Sequence, residues 1–173
     1  MVDRGELLKI MPYAQSRVDA FLDPLNAAML EFFIDTPKRE AAFLAQVAHE
    51  SGELRYVREL ADGSAYEGRA DLGNTEPGDG QRFRGRGLIQ ITGRANYREC
   101  GDALNLSLVD APALLEIPEN ACRSAAWFWH KRGLNELADA DQFKTITKRI
   151  NGGLNGYPDR VTHWERAKAV LMA

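Results

Sequence analysis

The sequence lacks the features that mark disulfide-stabilised and metal-binding proteins. Only two cysteines occur among its 173 residues, Cys100 and Cys122. In a protein made in the cytoplasm we expect both thiols to be free and buried, and a single disulfide between them is the alternative. The histidines His49, His130 and His163 are too far apart in sequence for a His-x-x-x-His ligand pair. No metal site is therefore expected.

Long apolar runs are also absent. The longest stretches, such as residues 41–45, are far too short to span a bilayer. Residues 1–10 lack the basic segment followed by an apolar stretch that defines a signal peptide. We therefore expect a chain that is made in the cytoplasm without a signal peptide, or whose signal has been removed, and that does not insert into a membrane.

An excess of positive charge is missing as well, since the formal net charge is −3. A dedicated nucleic-acid-binding protein is usually strongly basic, so no nucleic-acid partner is expected. The charge is unevenly placed, because residues 1–81 carry 15 acidic and 8 basic side chains, whereas residues 82–173 carry 10 and 14. An anionic polymer would lie against the second half, unless folding averages the two charges.

The chain does have enough apolar content for a core. Hydrophobic residues make up 45% of it, and no repeat or linker divides it, so a single domain over residues 1–173 is expected. Residues 61–87 hold seven glycines and few aliphatic side chains, which indicates a long irregular segment of the kind that is usually functional. Helical patterns occur at residues 15–33, 93–104, 118–132, 140–150 and 158–171. The prediction is a mainly α domain with a Gly-rich loop lobe.

The helix predicted over residues 38–51 carries the first candidate catalytic residue, Glu50. Thr36 suits its N-cap, Pro37 its first position and Gly52 its end. Glu50 continues the apolar stripe of this helix, at the negative end of the helix dipole. Both surroundings favour the neutral carboxyl group that a general acid needs. The alternative is a side chain that turns out to solvent where the helix frays.

A second carboxylate follows at Glu59, with Arg55 and Arg58 nearby in sequence. Adjacent guanidinium groups would keep Glu59 ionised, as a base or nucleophile must be. Paired carboxylates in unlike environments are typical of glycoside hydrolases. Glu67, inside the Gly-rich segment, is an alternative base, whereas Glu53 is interpreted as a solvated surface residue.

Short polar side chains alternate with apolar ones over residues 82–97. Gln90, Thr92 and Asn96 suit hydrogen bonds to sugar hydroxyl and amide groups, or the positioning of a water molecule. The segment lacks the Gly-Lys-Ser/Thr ending of a phosphate-binding loop. The alternative is a tight turn that leads into a helix capped by Thr92.

Three other features have competing structural interpretations. Asn151, followed by two glycines, suits the C-terminus of a helix as well as a polar site. His49 is interpreted as a structural histidine beside Glu50. The aromatic residues 127–129 are assigned to the core.

Three segments together resemble glycoside hydrolase family 19, the chitinase family that also includes phage endolysins. They are His49–Gly52 with Glu59 after it, Phe83–Gly93 continuing to Asn96 and Tyr97, and Ile150–Gly153. Their order and spacing match the family over about residues 38–165. The resemblance implies a largely helical, bilobed, lysozyme-like α+β fold with a central cleft.

The resemblance also implies hydrolysis of β-1,4 bonds between N-acetylated amino sugars, with inversion at the anomeric carbon and without a metal or organic cofactor. Glu50 corresponds to the general acid, Glu59 to the general base and Thr92 to a residue that helps to hold the attacking water. The candidate substrate-binding residues are Gln90, Asn96, Asn151, Glu67 and Arg160.

Departures from the chitinases favour a bacterial cell wall as substrate. The segment between Glu59 and Arg82 is short and lacks their cysteine-bearing loops, and Trp164 stands where plant members carry an arginine. We therefore predict a monomeric, bacteriolytic, endolysin-type hydrolase of peptidoglycan that acts after release from the cytoplasm. The alternatives are a compact chitinase and a catalytically silent wall-binding module, and the intact set of candidate catalytic residues argues against the second.

Overall fold

Nine α-helices and three short 3₁₀ helices make up most of the secondary structure in the computed structural model, which describes residues 1–173. The α-helices are α1 Arg4–Ile10, α2 Val18–Glu31, α3 Pro37–Ser51, α4 Asp79–Arg82, α5 Arg94–Leu104, α6 Pro118–Lys131, α7 Leu134–Asp139, α8 Phe143–Asn151 and α9 Tyr157–Leu171. The 3₁₀ helices are Ser64–Tyr66, Ala70–Leu72 and Pro112–Glu116. Isolated antiparallel bridges join Arg86 to Arg58 and to Ile91. The prediction of a mainly α fold is confirmed.

The larger apolar core surrounds α3. A cluster of 31 buried residues draws on α1, α2, α3 and α6 to α9. Every residue from 41 to 48 of α3 is buried, so this helix passes through the core on all sides. Phe43 on α3 meets Trp129 on α6 edge to face, with ring centroids 5.4 Å apart. The C-terminal turn of α3, where Glu50 lies, is thereby held by a rigid scaffold.

A second, smaller core packs the segment that follows the Gly-rich region. Its buried members are Phe83, Ile91, Tyr97, Cys100, Leu104, Leu108 and Leu115. Phe83 and Tyr97 pack edge to face at 5.2 Å. Cys100 and Cys122 are both free and buried, as predicted, and burial raises the pKa of the Cys100 thiol to about 12.

The ends of α3 follow the sequence signals. Thr36 is the N-cap and accepts a hydrogen bond from the Arg39 N–H, Pro37 is the first helical residue, and Gly52 closes the helix with φ of 58°. Three short helices, α1, α4 and α7, were not predicted. The signal for α1 was present in the capping box formed by Asp3 and Glu6.

The segment around residues 88–91 forms neither a strand nor a helix. Residues 87–90 form a turn, closed by hydrogen bonds in both directions between the backbones of Arg86 and Ile91. Gly93, with φ of 94°, is the N-cap of α5, and no side chain caps that helix. The interpretation of Thr92 as a cap is therefore wrong. None of the helices has the length and apolar character that a membrane crossing requires.

Candidate active site

The chain turns sharply after α3, and this turn sets the path from Glu50 to Glu59. The Ser51 hydroxyl donates to the carbonyl of Val47 at 2.6 Å and accepts the Leu54 N–H at 2.9 Å. The Tyr56 N–H donates to the carbonyl of Ser51 at 2.9 Å. These bonds satisfy backbone groups that the helix end would otherwise leave unpaired.

Glu53 fixes the same turn from inside the protein. Its side chain is buried, accepts the Tyr13 N–H at 2.7 Å and lies 3.0 Å from Nε2 of His163. Glu53 and Leu54 both have left-handed φ angles, 57° and 68°, which side chains rarely adopt. The interpretation of Glu53 as a solvated surface residue is wrong, because distant partners bury it and no local pattern reveals them.

Glu50 is held from behind by a buried arginine of α9. Nη2 of Arg160 lies 2.7 Å from Oε1 of Glu50. The same guanidinium donates to Oε1 of Gln46 at 2.6 Å and to the carbonyl of Asn155 at 3.0 Å. Arg160 is 1% exposed, whereas the Glu50 side chain is 24% exposed. Glu50 therefore presents its open side to solvent while Arg160 fixes its orientation from the interior.

Glu59 is held in a different way. Its Oε1 accepts the Gly85 N–H at 2.6 Å and its Oε2 accepts the Tyr66 hydroxyl at 3.0 Å. Burial and the bond to Glu59 raise the pKa of the Tyr66 phenol, so that it remains a donor at neutral pH. Neither Arg55 nor Arg58 forms an ion pair with Glu59, in contrast to the role that the sequence suggested for them. A backbone N–H and a phenol take their place.

Gln90 joins the site through Gly85. A Cβ atom at position 85 would lie 2.5 Å from Oε1 of Gln90, so this side chain keeps its position only over a glycine. The residue that holds Glu59 is thus covered directly by Gln90.

Thr92 and Asn96 border a small cavity of about 60 Å³ together with Gln90. The Asn96 side chain donates to the carbonyl of Thr92 at 2.8 Å. Trp127 and Lys131 of α6 form the opposite wall, and the Lys131 ammonium lies 5.2 Å from the Trp127 ring. The sequence placed all of residues 127–129 in the core, but only Trp129 is fully buried. The sequence pattern places these three aromatic residues on one helix, but it does not show which of them line a cavity and which lie in the core.

Asn151 is the last residue of α8, as expected, and is exposed. Gly152 follows with φ of 80° and starts the loop that carries Asn155, whose carbonyl holds Arg160.

His49 is structural, as interpreted. Its Nδ1 lies 2.7 Å from Oδ2 of Asp159, and its ring packs where a side chain on Gly156 would be.

Glu67 closes the Gly-rich segment, although its side chain remains exposed to solvent. Its two carboxylate oxygens accept the N–H groups of Gly78 and Gly80, each at 2.8 Å. These backbone bonds lower the pKa of Glu67 below its ordinary value. Both oxygens are thus already used in closing the loop.

No group of three or more His, Cys, Asp or Glu side chains is placed to hold a metal ion.

Comparisons with known proteins agree with this arrangement. Residues 32–142 match the family described as chitinase class I, glycoside hydrolase family 19. A glycosyl hydrolase family 19 domain-containing protein of Haemophilus influenzae is 30% identical, over 92% of both chains. An endochitinase of Arabidopsis thaliana is 41% identical over 67% of this chain, which spans 40% of that relative's length.

The fold is shared with solved chitinases. Chitinase C from Streptomyces griseus superposes with a TM-score of 0.83 at 24% identity, over 99% of this chain and 77% of that one. A bacterial family 19 chitinase superposes with a TM-score of 0.81 at 25% identity, over 98% of this chain and 94% of that one. The family match over most of the chain shows that this protein belongs to glycoside hydrolase family 19 and is a chitinase-type glycoside hydrolase.

Proposed function

We propose that this chain hydrolyses the β-1,4 glycosidic bonds of bacterial peptidoglycan, with Glu50 as general acid and Glu59 as general base. The observation that carries the assignment is the unlike support of the two carboxylates. Glu50 is part-exposed at a helix end against Arg160, and Glu59 is fixed by the Gly85 N–H and the Tyr66 hydroxyl. Two carboxyl groups with different environments can divide the acid and base roles, and the resemblance to the family gives the acid role to Glu50 and the base role to Glu59.

In this proposal the bond breaks in a single displacement. Glu50 gives its proton to the glycosidic oxygen, while Glu59 takes a proton from a water molecule that attacks the anomeric carbon from the opposite face. Thr92 helps to hold that water, and the anomeric configuration inverts. Polar contacts to the sugar come from Gln90, Asn96 and Asn151. Arg160 acts as a positioning residue for Glu50, and Glu67 only holds the Gly-rich segment, because the hydrogen-bonding atoms of both are engaged within the protein.

Peptidoglycan is favoured over chitin by charge. Residues 82–173, which supply Gln90, Thr92 and Asn96, carry 14 basic and 10 acidic side chains. An excess of basic side chains in this part of the chain would attract an anionic wall polymer and would not attract a neutral one. We further propose that the protein is monomeric and acts as an endolysin, reaching the wall after release from the cytoplasm.

Chitin is the second candidate substrate. Endochitinases of Arabidopsis thaliana are 41% identical to this chain over 67% of its length, which supports a compact chitinase. Soluble chitin oligomers contain the same β-1,4 bonds between N-acetylated sugars, so the same two glutamates would cleave them.

Digestion of purified peptidoglycan and of chitin hexamer in parallel, with mass spectrometry of the products, tests the proposal. We expect muropeptides with new reducing ends and little cleavage of the hexamer. Cleavage of the hexamer with intact peptidoglycan would make the protein a small chitinase. Cleavage of neither substrate would favour the catalytically silent wall-binding module over both enzymatic functions.

A further inference from the structure

A cavity of about 280 Å³ lies beside the proposed base and is lined by arginines. Arg55, Arg58 and Arg84 line it together with the carboxylates Glu59 and Glu116. Neither Arg55 nor Arg84 has a carboxylate oxygen within 4.0 Å, since neither forms an ion pair anywhere in the structure. The cavity therefore contains guanidinium groups whose charge no side chain compensates directly.

The carboxylate of Glu116 is already engaged with another arginine. Oε2 of Glu116 accepts a hydrogen bond from Nε of Arg86 at 3.0 Å, and the Arg86 side chain is buried. Arg58 lies farther off, with Nη1 at 3.7 Å from Oε1. Arg58 is half-exposed and makes no hydrogen bond to this carboxylate, so most of its donors remain available.

The Arg84 side chain has an unsatisfied hydrogen-bond donor. Its Nε atom is buried and has no acceptor, although buried polar groups nearly always find one. The exposed Asp62 carboxylate accepts the Ser64 N–H at 2.8 Å instead of pairing with Arg84, and this bond lowers the pKa of Asp62, with help from the charge of Arg84. Arg84 therefore lines the cavity without a carboxylate partner of its own.

The cavity also has an apolar edge. Tyr56 and Leu60 line it, and Leu60 is 83% exposed. The guanidinium of Arg55 lies 5.1 Å from the centre of the Tyr56 ring, which holds the cation at the rim. Cations beside exposed apolar side chains suit a ligand with a carboxylate on a short carbon chain.

We propose that this cavity binds a carboxylate carried by a substituent of the glycan, next to the sugar at which Glu59 acts. Chitin has no such group. In peptidoglycan every second sugar bears a lactyl ether at O3, and either the lactyl carboxylate or a carboxylate of the attached peptide could enter. Guanidinium groups bind carboxylates with paired, charge-assisted hydrogen bonds. This inference rests on the proposed function, because it names the substrate group that would favour the wall.

Binding of small sugars tests the subsite without catalysis. N-acetylmuramic acid and N-acetylglucosamine differ only by the lactyl group, and muramyl dipeptide moves the carboxylate onto the peptide. Followed by NMR chemical-shift titration, N-acetylmuramic acid or muramyl dipeptide should bind with a Kd about tenfold lower than N-acetylglucosamine. Whichever of the two is preferred identifies the source of the carboxylate. Equal binding of all three sugars would overturn the proposal.

Arginine variants locate the effect. Arg84→Gln and Arg58→Gln should remove the preference for the carboxylated sugar, whereas Arg98→Gln should retain it. Arg98 is the matched control because it is exposed on α5 and forms no ion pair. A preference that survived in both cavity variants would place the carboxylate elsewhere and contradict the proposal.

Hydrolysis separates this inference from the proposed function. On peptidoglycan, Arg84→Gln should lose about tenfold more kcat/KM than on chitin hexamer. If the wild-type protein left peptidoglycan intact but still preferred N-acetylmuramic acid, the proposed function would fail and the subsite would stand. If peptidoglycan were cleaved and the cavity variants matched Arg98→Gln in binding and in rate, the subsite would fail and the function would stand.

Discussion

Nη2 of Arg160, in the first turn of α9, lies 2.7 Å from Oε1 of Glu50, in the last turn of α3. The pair joins α3, in the first third of the chain, to α9, at its C-terminal end. Because Gln46 and the carbonyl of Asn155 hold the same guanidinium, the position of Glu50 depends on three separate parts of the fold. The proposed acid is therefore preorganised before any substrate binds.

Replacing Arg160 by glutamine should weaken both the fold and the activity. The change leaves acceptors on Gln46 and Asn155 unpaired and removes the cation that faces Glu50. Breaking a buried ion pair costs about 3 kcal/mol, which corresponds to a Tm loss of roughly 6–12 °C for a chain of this size. Calorimetry checks this, with Arg166→Gln on the same helix as control, since Arg166 forms no ion pair. Equal Tm values for the two variants would contradict the role given to Arg160.

Adding a methyl group to Gly85 should reduce activity more than stability. A Cβ atom there would lie 2.5 Å from Oε1 and 3.3 Å from Cβ of Gln90, so the Gln90 side chain must turn away from the residue whose N–H holds Glu59. We expect Gly85→Ala to lower kcat by about tenfold to 100-fold, because displacement of a positioning group can cost up to about 100-fold. Gly5→Ala in α1 is the control, because a Cβ atom there would meet only Oδ1 of Asp3, at 3.3 Å, and no residue of the site. A wild-type rate in Gly85→Ala would show that this contact does not position the base.

Two glutamate variants decide which carboxylate is the base. Glu59→Gln should lower kcat by about 10²–10⁴, the usual contribution of a general base. Glu67→Gln should keep the rate and loosen the loop instead, because Glu67 accepts the N–H groups of Gly78 and Gly80. Rates on whichever substrate the wild-type protein cleaves, and thermal melts of both variants, provide the comparison. The opposite pattern, with Glu59→Gln active and Glu67→Gln inactive, would move the base to Glu67.

The ion pair between Asp79 and Arg94 should make stability depend on pH in the acid range. Asp79 is buried, and its hydrogen bonds to Arg94, both at 2.8 Å, hold its pKa below the ordinary value of 3.8. A carboxyl group with a lowered pKa in the folded state stabilises the fold above pH 4, and that stability is lost as the pH falls through the folded pKa.

Melting curves across pH test this sign. The difference in Tm between the wild-type protein and Asp79→Asn should be largest near neutral pH and should narrow below pH 4. Asp23→Asn is the control, because Asp23 is exposed on α2 and forms no ion pair. A Tm difference for Asp79→Asn that stayed constant down to pH 2.5 would rule out the proposed contribution.

Local sequence signals predicted what depends on local structure. The bounds of α3 follow from Thr36, Pro37 and Gly52, and with them the place of Glu50 at the helix end. Contacts between distant segments could not be predicted in this way. The burial of Glu53 depends on Tyr13 and His163, which lie far from it in the chain, so its carboxylate resembles a surface residue in the sequence.

The same limit applies to the support of the two proposed catalytic residues. The sequence suggested arginines beside Glu59, but the backbone pairing with Gly85 turns the carboxylate toward an N–H and toward Tyr66. Arg160 was expected to contact substrate, and instead packs behind Glu50 at 1% exposure. A motif identifies the side chains of a site. Which groups contact each of them, and from which side, can be seen only in the folded structure.

Substitution of Glu50 by glutamine tests the central claim most directly. The amide keeps an oxygen that can accept from Arg160, so the protein should stay folded with a wild-type circular dichroism spectrum, although loss of the ion pair should lower its Tm. Without a transferable proton, the rate of bond cleavage on peptidoglycan and on chitin hexamer should fall by about 10²–10⁴ on whichever substrate the wild-type protein cleaves. A folded Glu50→Gln protein that cleaved that substrate at nearly the wild-type rate would show that Glu50 is not the acid.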